Sequence, residues 1–165
     1  MRRPISAGLA LLAAVAAQAL PLAAQEEALP KFYVYGEDDG TRELVECKAT
    51  HASAVSAVQA ELRAAGIAIQ DDAGDPEAVM DVYVNVSAMP ITGQSSCAYS
   101  LTLAFESFGE APNPFTGQKE FSKLTYCTKG SLMVWGRGTA QAEINSTFRR
   151  HTRDCLVKYK GRNAR

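Results

Sequence analysis

The sequence predicts an α+β domain: a mainly antiparallel, twisted sheet of about four strands, two helices on one face of it, and two disulfides. Three observations predict this. Segments that alternate apolar and polar residues are separated by turn formers, two other segments repeat apolar residues every three or four positions, and the four cysteines are even in number.

Arg2 and Arg3 open the 165-residue chain, an uncharged alanine- and leucine-rich run follows from Ile5 to Leu20, and Pro21-Leu22-Ala23-Ala24 precedes Gln25. A positive start, a short apolar run and small residues are what a signal peptidase cuts. Residues 1–24 are therefore expected to be a signal peptide and 25–30 a short tether, leaving 31–165 as a single α+β domain. The apolar run falls short of the roughly 20 residues that span a bilayer, and no later segment approaches that length. No transmembrane segment is expected in the mature chain. The location expected is periplasmic or secreted, where Cys47, Cys97, Cys127 and Cys155 would oxidise. The 141 residues left after cleavage suffice for one core.

Lys31 to Gly36 carries Phe32, Tyr33, Val34 and Tyr35, an aromatic and β-branched run ended by glycine, and is the first strand. From about Cys47 to Ala65, Cys47, His51, Val55, Val58 and Leu62 form one stripe of an amphipathic helix, and Gly66 supplies its stop. Ile67-Ala68-Ile69 is a brief extended piece before a loop containing Asp71, Asp72, Asp75 and Pro76. Val79 to Ala88 alternates, with Val82, Val84 and Val86 on one face. Cys97 to Phe108 repeats the pattern through Tyr99, Leu101, Leu103 and Phe105. Gly109 to Gln118 joins it to an antiparallel neighbour, Glu120 to Trp135, whose apolar parity switches near Gly130 and so predicts a bulge there. A second helix, about Thr139 to Lys160, carries the stripe Ala140, Ile144, Phe148, His151, Cys155 and Tyr159.

A right-handed crossover through the first helix joins parallel strands, so that helix runs opposite to them. If the last long strand is parallel to these, the two helices run the same way. Cys47 and the start of the Cys97 strand then share one end of the sheet, which favours Cys47 with Cys97 and Cys127 with Cys155. The rival pairing, Cys97 with Cys127 and Cys47 with Cys155, needs antiparallel helices.

Charge is distributed unevenly. Gln25 to Asp81 has a net charge of -9 and Val82 to Arg165 one of +6. The surface expected to bind an anion or a partner is the basic side of the last helix: Arg149, Arg150, Arg153 and Lys158. An envelope protein or an anionic envelope component fits it, whereas nucleic acid does not, for an exported chain without a stacking platform.

Cys47-x-x-x-His51 and His151-x-x-x-Cys155 each put a thiol and an imidazole on one helical face, a set that could hold zinc. Parallel helices would separate the two pairs. The Asp71, Asp72, Asp75 and Glu77 cluster lacks the spacing of a calcium loop. There is no Gly-x-Ser-x-Gly elbow, no Cys-x-x-Cys, no P-loop and no Gly-x-Gly-x-x-Gly, so no catalytic residue and no cofactor are expected. Gly136-Arg137-Gly138 before the last helix hints at an anion site. Asn85-Val86-Ser87 and Asn145-Ser146-Thr147 match the glycosylation pattern, but both fall within regular elements.

Taken together, Gly66-Ile67-Ala68-Ile69, the strands Asp81 to Ala88 and Cys97 to Phe108, the segment Ser131 to Gly136 and the closing helix resemble small periplasmic proteins of proteobacteria. Their sheet-and-helix layout is similar to the N-terminal domain of the TolB family. The resemblance implies an envelope location and an α+β fold and carries no catalytic residue; the four cysteines depart from it. These features point to an exported, non-catalytic binding or accessory protein of the bacterial cell envelope. Two alternatives are a secreted protease inhibitor of cystatin-like architecture, acting through the 109–118 loop, and a metal-binding protein using Cys47, His51, His151 and Cys155.

Overall fold

The computed structural model describes residues 30–37, 40–71 and 78–163, with backbone alone for 161–163. The expected signal peptide and most of the tether lie outside the described residues. The elements are β1 (Lys31–Gly36), α1 (Arg42–Cys47), α2 (His51–Ala64), β2 (Ala68–Gln70), β3 (Ala78–Pro90), β4 (Ser96–Pro112), β5 (Lys119–Gly136) and α3 (Ala140–Asn163). The fold is α+β, with α2 and α3 over one face of the sheet and a single core between.

The sheet has five strands in the order β2-β1-β3-β4-β5, and it is mixed. β1 is parallel to both β2 and β3, while β3, β4 and β5 are antiparallel in turn. About four mainly antiparallel strands were expected; the correction comes from Ala68–Gln70. That segment is too short to show a period, yet it pairs with Lys31, Phe32 and Tyr33 at the edge of the sheet.

The first helix is also corrected, because it is two helices. Thr41 caps α1 by accepting from the Leu44 amide, and Lys48 ends it in the left-handed region at φ 55. Thr50 then adopts extended geometry and its hydroxyl accepts from the Ser53 amide, so the chain restarts as α2 with a new axis. Thus Cys47 belongs to α1, and the expected stripe is split between two elements. The bulge lies at Tyr126, where the β4 register steps from Phe105 opposite Cys127 to Glu106 opposite Thr125, and not at Gly130.

Every second residue of the strands enters the core: Phe32 and Val34; Met80, Val82, Val84 and Val86; Tyr99, Leu101, Leu103 and Phe105. Ala54, Val58 and Leu62 from α2, and Ile144, Phe148, Cys155 and Leu156 from α3, cover them. Each fully buried aliphatic or aromatic side chain contributes about 1.5–3 kcal/mol. Gly36 sits where α2 crosses the end of β1. A Cβ there would meet Val55 Cγ2 and the Val84 carbonyl oxygen, both at 3.1 Å, so only glycine lets the helix approach this closely.

α2 and α3 run parallel and side by side. Gln141 Oε1 accepts from the Thr50 amide, Asn145 Nδ2 donates to Ser53 Oγ, and Arg153 pairs with Glu61 at 3.5 Å. The constant offset along the chain, 91 and 92 residues for the first two contacts, is the mark of parallel neighbours. The two disulfides, Cys47–Cys97 and Cys127–Cys155, follow this arrangement and are the connectivity that parallel helices favoured. The first joins α1 to the start of β4, and the second pins the later half of α3 to β5.

Candidate functional site

Among the described residues the helices lie on one face, and no element covers the other face of the sheet. An antiparallel sheet can present a polar face to water, but this one carries large apolar side chains along with polar ones. By register it runs in rows: Tyr33, Asp81 and Glu106; Tyr35, Tyr83 and Ala104; Ser87, Ser100 and Leu132; Met89, Ala98 and Val134.

One end is an aromatic and acidic cluster. The rings of Tyr33 and Tyr35 stack at 5.7 Å, and Tyr35 meets Tyr83 at 5.4 Å. The Tyr83 hydroxyl donates to Glu37, and burial followed by that hydrogen bond pushes its pKa up to about 12. Glu106 is buried and its carboxylate accepts from Lys123 Nζ at 3.0 Å. Burial, then the neighbouring Glu106, holds the Asp81 carboxyl above its ordinary range. Burial and Glu106 likewise raise Tyr35.

Asp81 supplies a pH prediction. Its folded pKa lies above the unfolded value near 3.8, so the charged form costs stability once the pH rises through that window, and below it the cost vanishes. Asp81→Asn is therefore expected to raise the melting temperature at pH 7 and leave it unchanged at pH 3. An unchanged temperature at pH 7 would show that neither burial nor Glu106 opposes the charge on Asp81.

The opposite end is apolar and open. Met89, Leu132 and Val134 stand up around a floor of Ala98 and Ser100, forming a hollow of about 490 Å³. Leu132 is 84% exposed and Val134 61%. Beyond the acidic cluster, β4 and β5 continue without β3 as a two-stranded arm closed by a turn at 113–118. Asn113 Oδ1 accepts from the Phe115 amide and organises that turn. Phe108 and Phe121 stack on the open side of the arm at 6.3 Å, and Phe115 at its tip is 95% exposed.

The residues singled out in the sequence lie elsewhere. Arg149, Arg150, Arg153 and Lys158 are all exposed on the outer side of α3. Arg153 is engaged by Glu61, and Arg137 pairs with Glu46 at 3.1 Å, so part of the charge asymmetry is balanced within the molecule. The four zinc candidates are not brought together. Cys47 and Cys155 are in separate disulfides, and the parallel offset places His51 and His151 roughly 12 Å apart along the helix axes. His51 Nε2 lies 3.3 Å from Asn85 Oδ1, and His151 Nε2 lies 2.9 Å from Ser131 Oγ. Burial, then Arg150 and Lys129, lowers the His151 pKa.

Asp71 is described, while Asp72, Asp75 and Glu77 lie outside the described residues. The Gly136–Gly138 turn is no anion cradle. Its Arg137 and Gly138 amides donate to the Ser95 and Cys47 carbonyls, and the Thr139 amide donates to Gly136.

The open face went unrecognised in the sequence, although it left a signal. Tyr33, Tyr35, Tyr83 and Met89 occupy the alternate positions of strands whose buried parity is already filled, and Leu132 and Val134, whose phase suggested a bulge at Gly130, face away from the side of β5 that carries Cys127. An apolar residue out of phase with the core is the readable mark of a surface patch.

No family model and no curated protein matches the chain. Among solved structures it is similar to a PelC dodecamer from Paraburkholderia phytofirmans, at 15% identity and TM-score 0.37 over 79% of this chain and 88% of that one. It is also similar to a minor lipoprotein from Acinetobacter baumannii, at 11% identity and TM-score 0.32 over 79% of this chain and 94% of that one.

Proposed function

We propose that this chain is an exported, non-catalytic binding or accessory protein of the bacterial cell envelope, which meets an anionic envelope component through the outer side of α3. The observation that carries this reading is the exposure of Arg149, Arg150, Arg153 and Lys158 across the solvent side of a helix fixed to the sheet by Cys127–Cys155. The leader expected from the sequence and the oxidised cysteines support the compartment. Cations on a rigid helix attract anionic headgroups by about 1 kcal/mol each near a surface, within a Debye length.

The test is binding of the mature protein to vesicles containing anionic phospholipid and to neutral vesicles. Binding is expected only to the anionic ones, weakening with salt. Reversing the charges together (Arg149→Glu, Arg150→Glu, Arg153→Glu and Lys158→Glu) should weaken it at least about tenfold. Unchanged retention of the reversed variant on anionic vesicles or on envelope material would remove the basic side of α3 from the account.

A further inference from the structure

The apolar groups of the open face form a projection and a hollow that one molecule cannot bring together. The projection is the arm of β4 and β5. The last β3 to β4 pair is Asp81 with Glu106, so Ser107–Pro112 and Lys119–Leu124 stand free of β3, bearing Phe108, Phe121 and the tip residue Phe115. The hollow is at the other end of the same hairpin, between Met89, Leu132 and Val134. Counting along β5 from Phe121 to Leu132 separates the two by roughly 35 Å. By register they lie on the same face of the sheet.

We propose that the hollow of one copy receives the phenyl-bearing arm of a second copy, so that the protein associates with itself head to tail. Charge permits the contact. Among the described residues, none that lines the hollow is charged. The stretch Ala111 to Gln118 at the arm's end carries no charge; on the arm's open side the exposed Glu110 and Lys119 pair with each other at 4.0 Å, while Glu120 is hydrogen-bonded by Asn113 and Lys123 is held by Glu106. Seating the uncharged end of the arm therefore strips water from apolar groups, and the charges behind it already have partners, so none is left buried alone.

The phenyls supply part of the area. A whole aromatic side chain covers about 150–250 Å², and with Phe108 51%, Phe121 75% and Phe115 95% exposed the three have roughly 330–550 Å² left to bury; the ribbon that carries them must supply the rest of the roughly 800 Å² per partner of a standard interface. Because the two patches differ, the contact is heterologous: each copy gives an arm and takes one, and chains of copies close into rings or extend. This inference does not use the basic side of α3.

Complementation tests it, with the mature, disulfide-bonded protein followed by sedimentation velocity. One variant loses the arm's rings (Phe108→Thr, Phe115→Ser, Phe121→Thr), and another closes the hollow (Leu132→Glu). A second hollow variant, Leu132→Thr with Val134→Thr, keeps strand propensity in case the charge disturbs folding. The wild-type protein is expected to show mass above the monomer that rises with concentration, and each variant alone at least a tenfold loss of association. Mixed in equal amounts, the arm variant and a hollow variant should form a dimer and nothing larger, since one intact arm then meets one intact hollow.

A wild-type protein that stays monomeric at about 100 times a micromolar Kd would overturn the proposal. So would arm binding to neutral vesicles by a monomer. Association that survives in either variant alone, or is lost in both and not restored on mixing, would point to a two-fold interface and overturn it equally.

Discussion

Replacing both Cys47 and Cys97 with alanine is expected to lower the free energy of unfolding by about 4 kcal/mol, the larger of the two disulfide losses. The bond joins residues 50 apart in sequence, whereas Cys127–Cys155 joins residues 28 apart. Loop-closure entropy grows with the logarithm of that length, which gives about 3.5 kcal/mol for the second pair. Both sulfurs of the first pair are fully buried, so the alanine variant also loses packing at the junction of α1 and β4. The native state keeps other ties at that junction. The buried Tyr99 hydroxyl donates to the Cys47 carbonyl at 3.1 Å, and the Gly138 amide donates to the same oxygen at 3.4 Å. The folded structure should therefore survive with the loss appearing in the unfolded chain. Denaturant unfolding of the two double variants checks this; a smaller loss for Cys47→Ala/Cys97→Ala than for Cys127→Ala/Cys155→Ala would contradict the chain-entropy argument.

The same geometry explains which parts of the molecule could be read in advance. Val82, Val84 and Val86, and Tyr99 through Phe105, alternate over enough residues to fix both the strand and its buried face. The stripe Ile144, Phe148, His151 and Cys155 does the same for α3. The disulfide pairing followed from handedness, because parallel α2 and α3 leave Cys47 and Cys155 at opposite ends of the helical layer. Short elements gave no such period. Ala68–Gln70 becomes a strand only through its parallel partner β1, a contact distant in sequence. The break between α1 and α2 was written in Thr50, a capping residue inside an otherwise helical stripe, and the stripe concealed it.

The candidate surfaces divide in the same way. The basic side of α3 was legible because charge can be counted along a helix, and Arg149, Arg150 and Lys158 are exposed there. The open face was not, because it needs β1, β3, β4 and β5 side by side before Tyr35, Tyr83, Met89 and Leu132 become one surface. Likewise the arm exists only because β3 stops pairing with β4 at Asp81 while the β4 to β5 ladder continues to Pro112. Neither boundary follows from local composition.

Phe32→Ala is expected to cost about 3–5 kcal/mol, the range for truncating a buried phenylalanine. Phe32 is fully buried on β1 and meets Phe105 of β4 edge-on at 5.9 Å and Tyr159 of α3 edge-on at 5.4 Å. One ring therefore ties the parallel edge of the sheet to its antiparallel half and to the end of the last helix. Its neighbours on β1 face the other way: Tyr33 and Tyr35 pack on the open side, where water already reaches them. Tyr33→Ala should accordingly cost much less than Phe32→Ala, although both sit on the same short strand. The loss at Phe32 should also be felt at a distance. With its aromatic partner gone, Tyr159 no longer anchors the last turns of α3, and amide exchange there should quicken more than around Cys155, which its disulfide still holds. Equal costs for the two substitutions, or exchange that rises evenly along α3, would mean that the core is not divided between the two faces of β1 as the burial pattern requires.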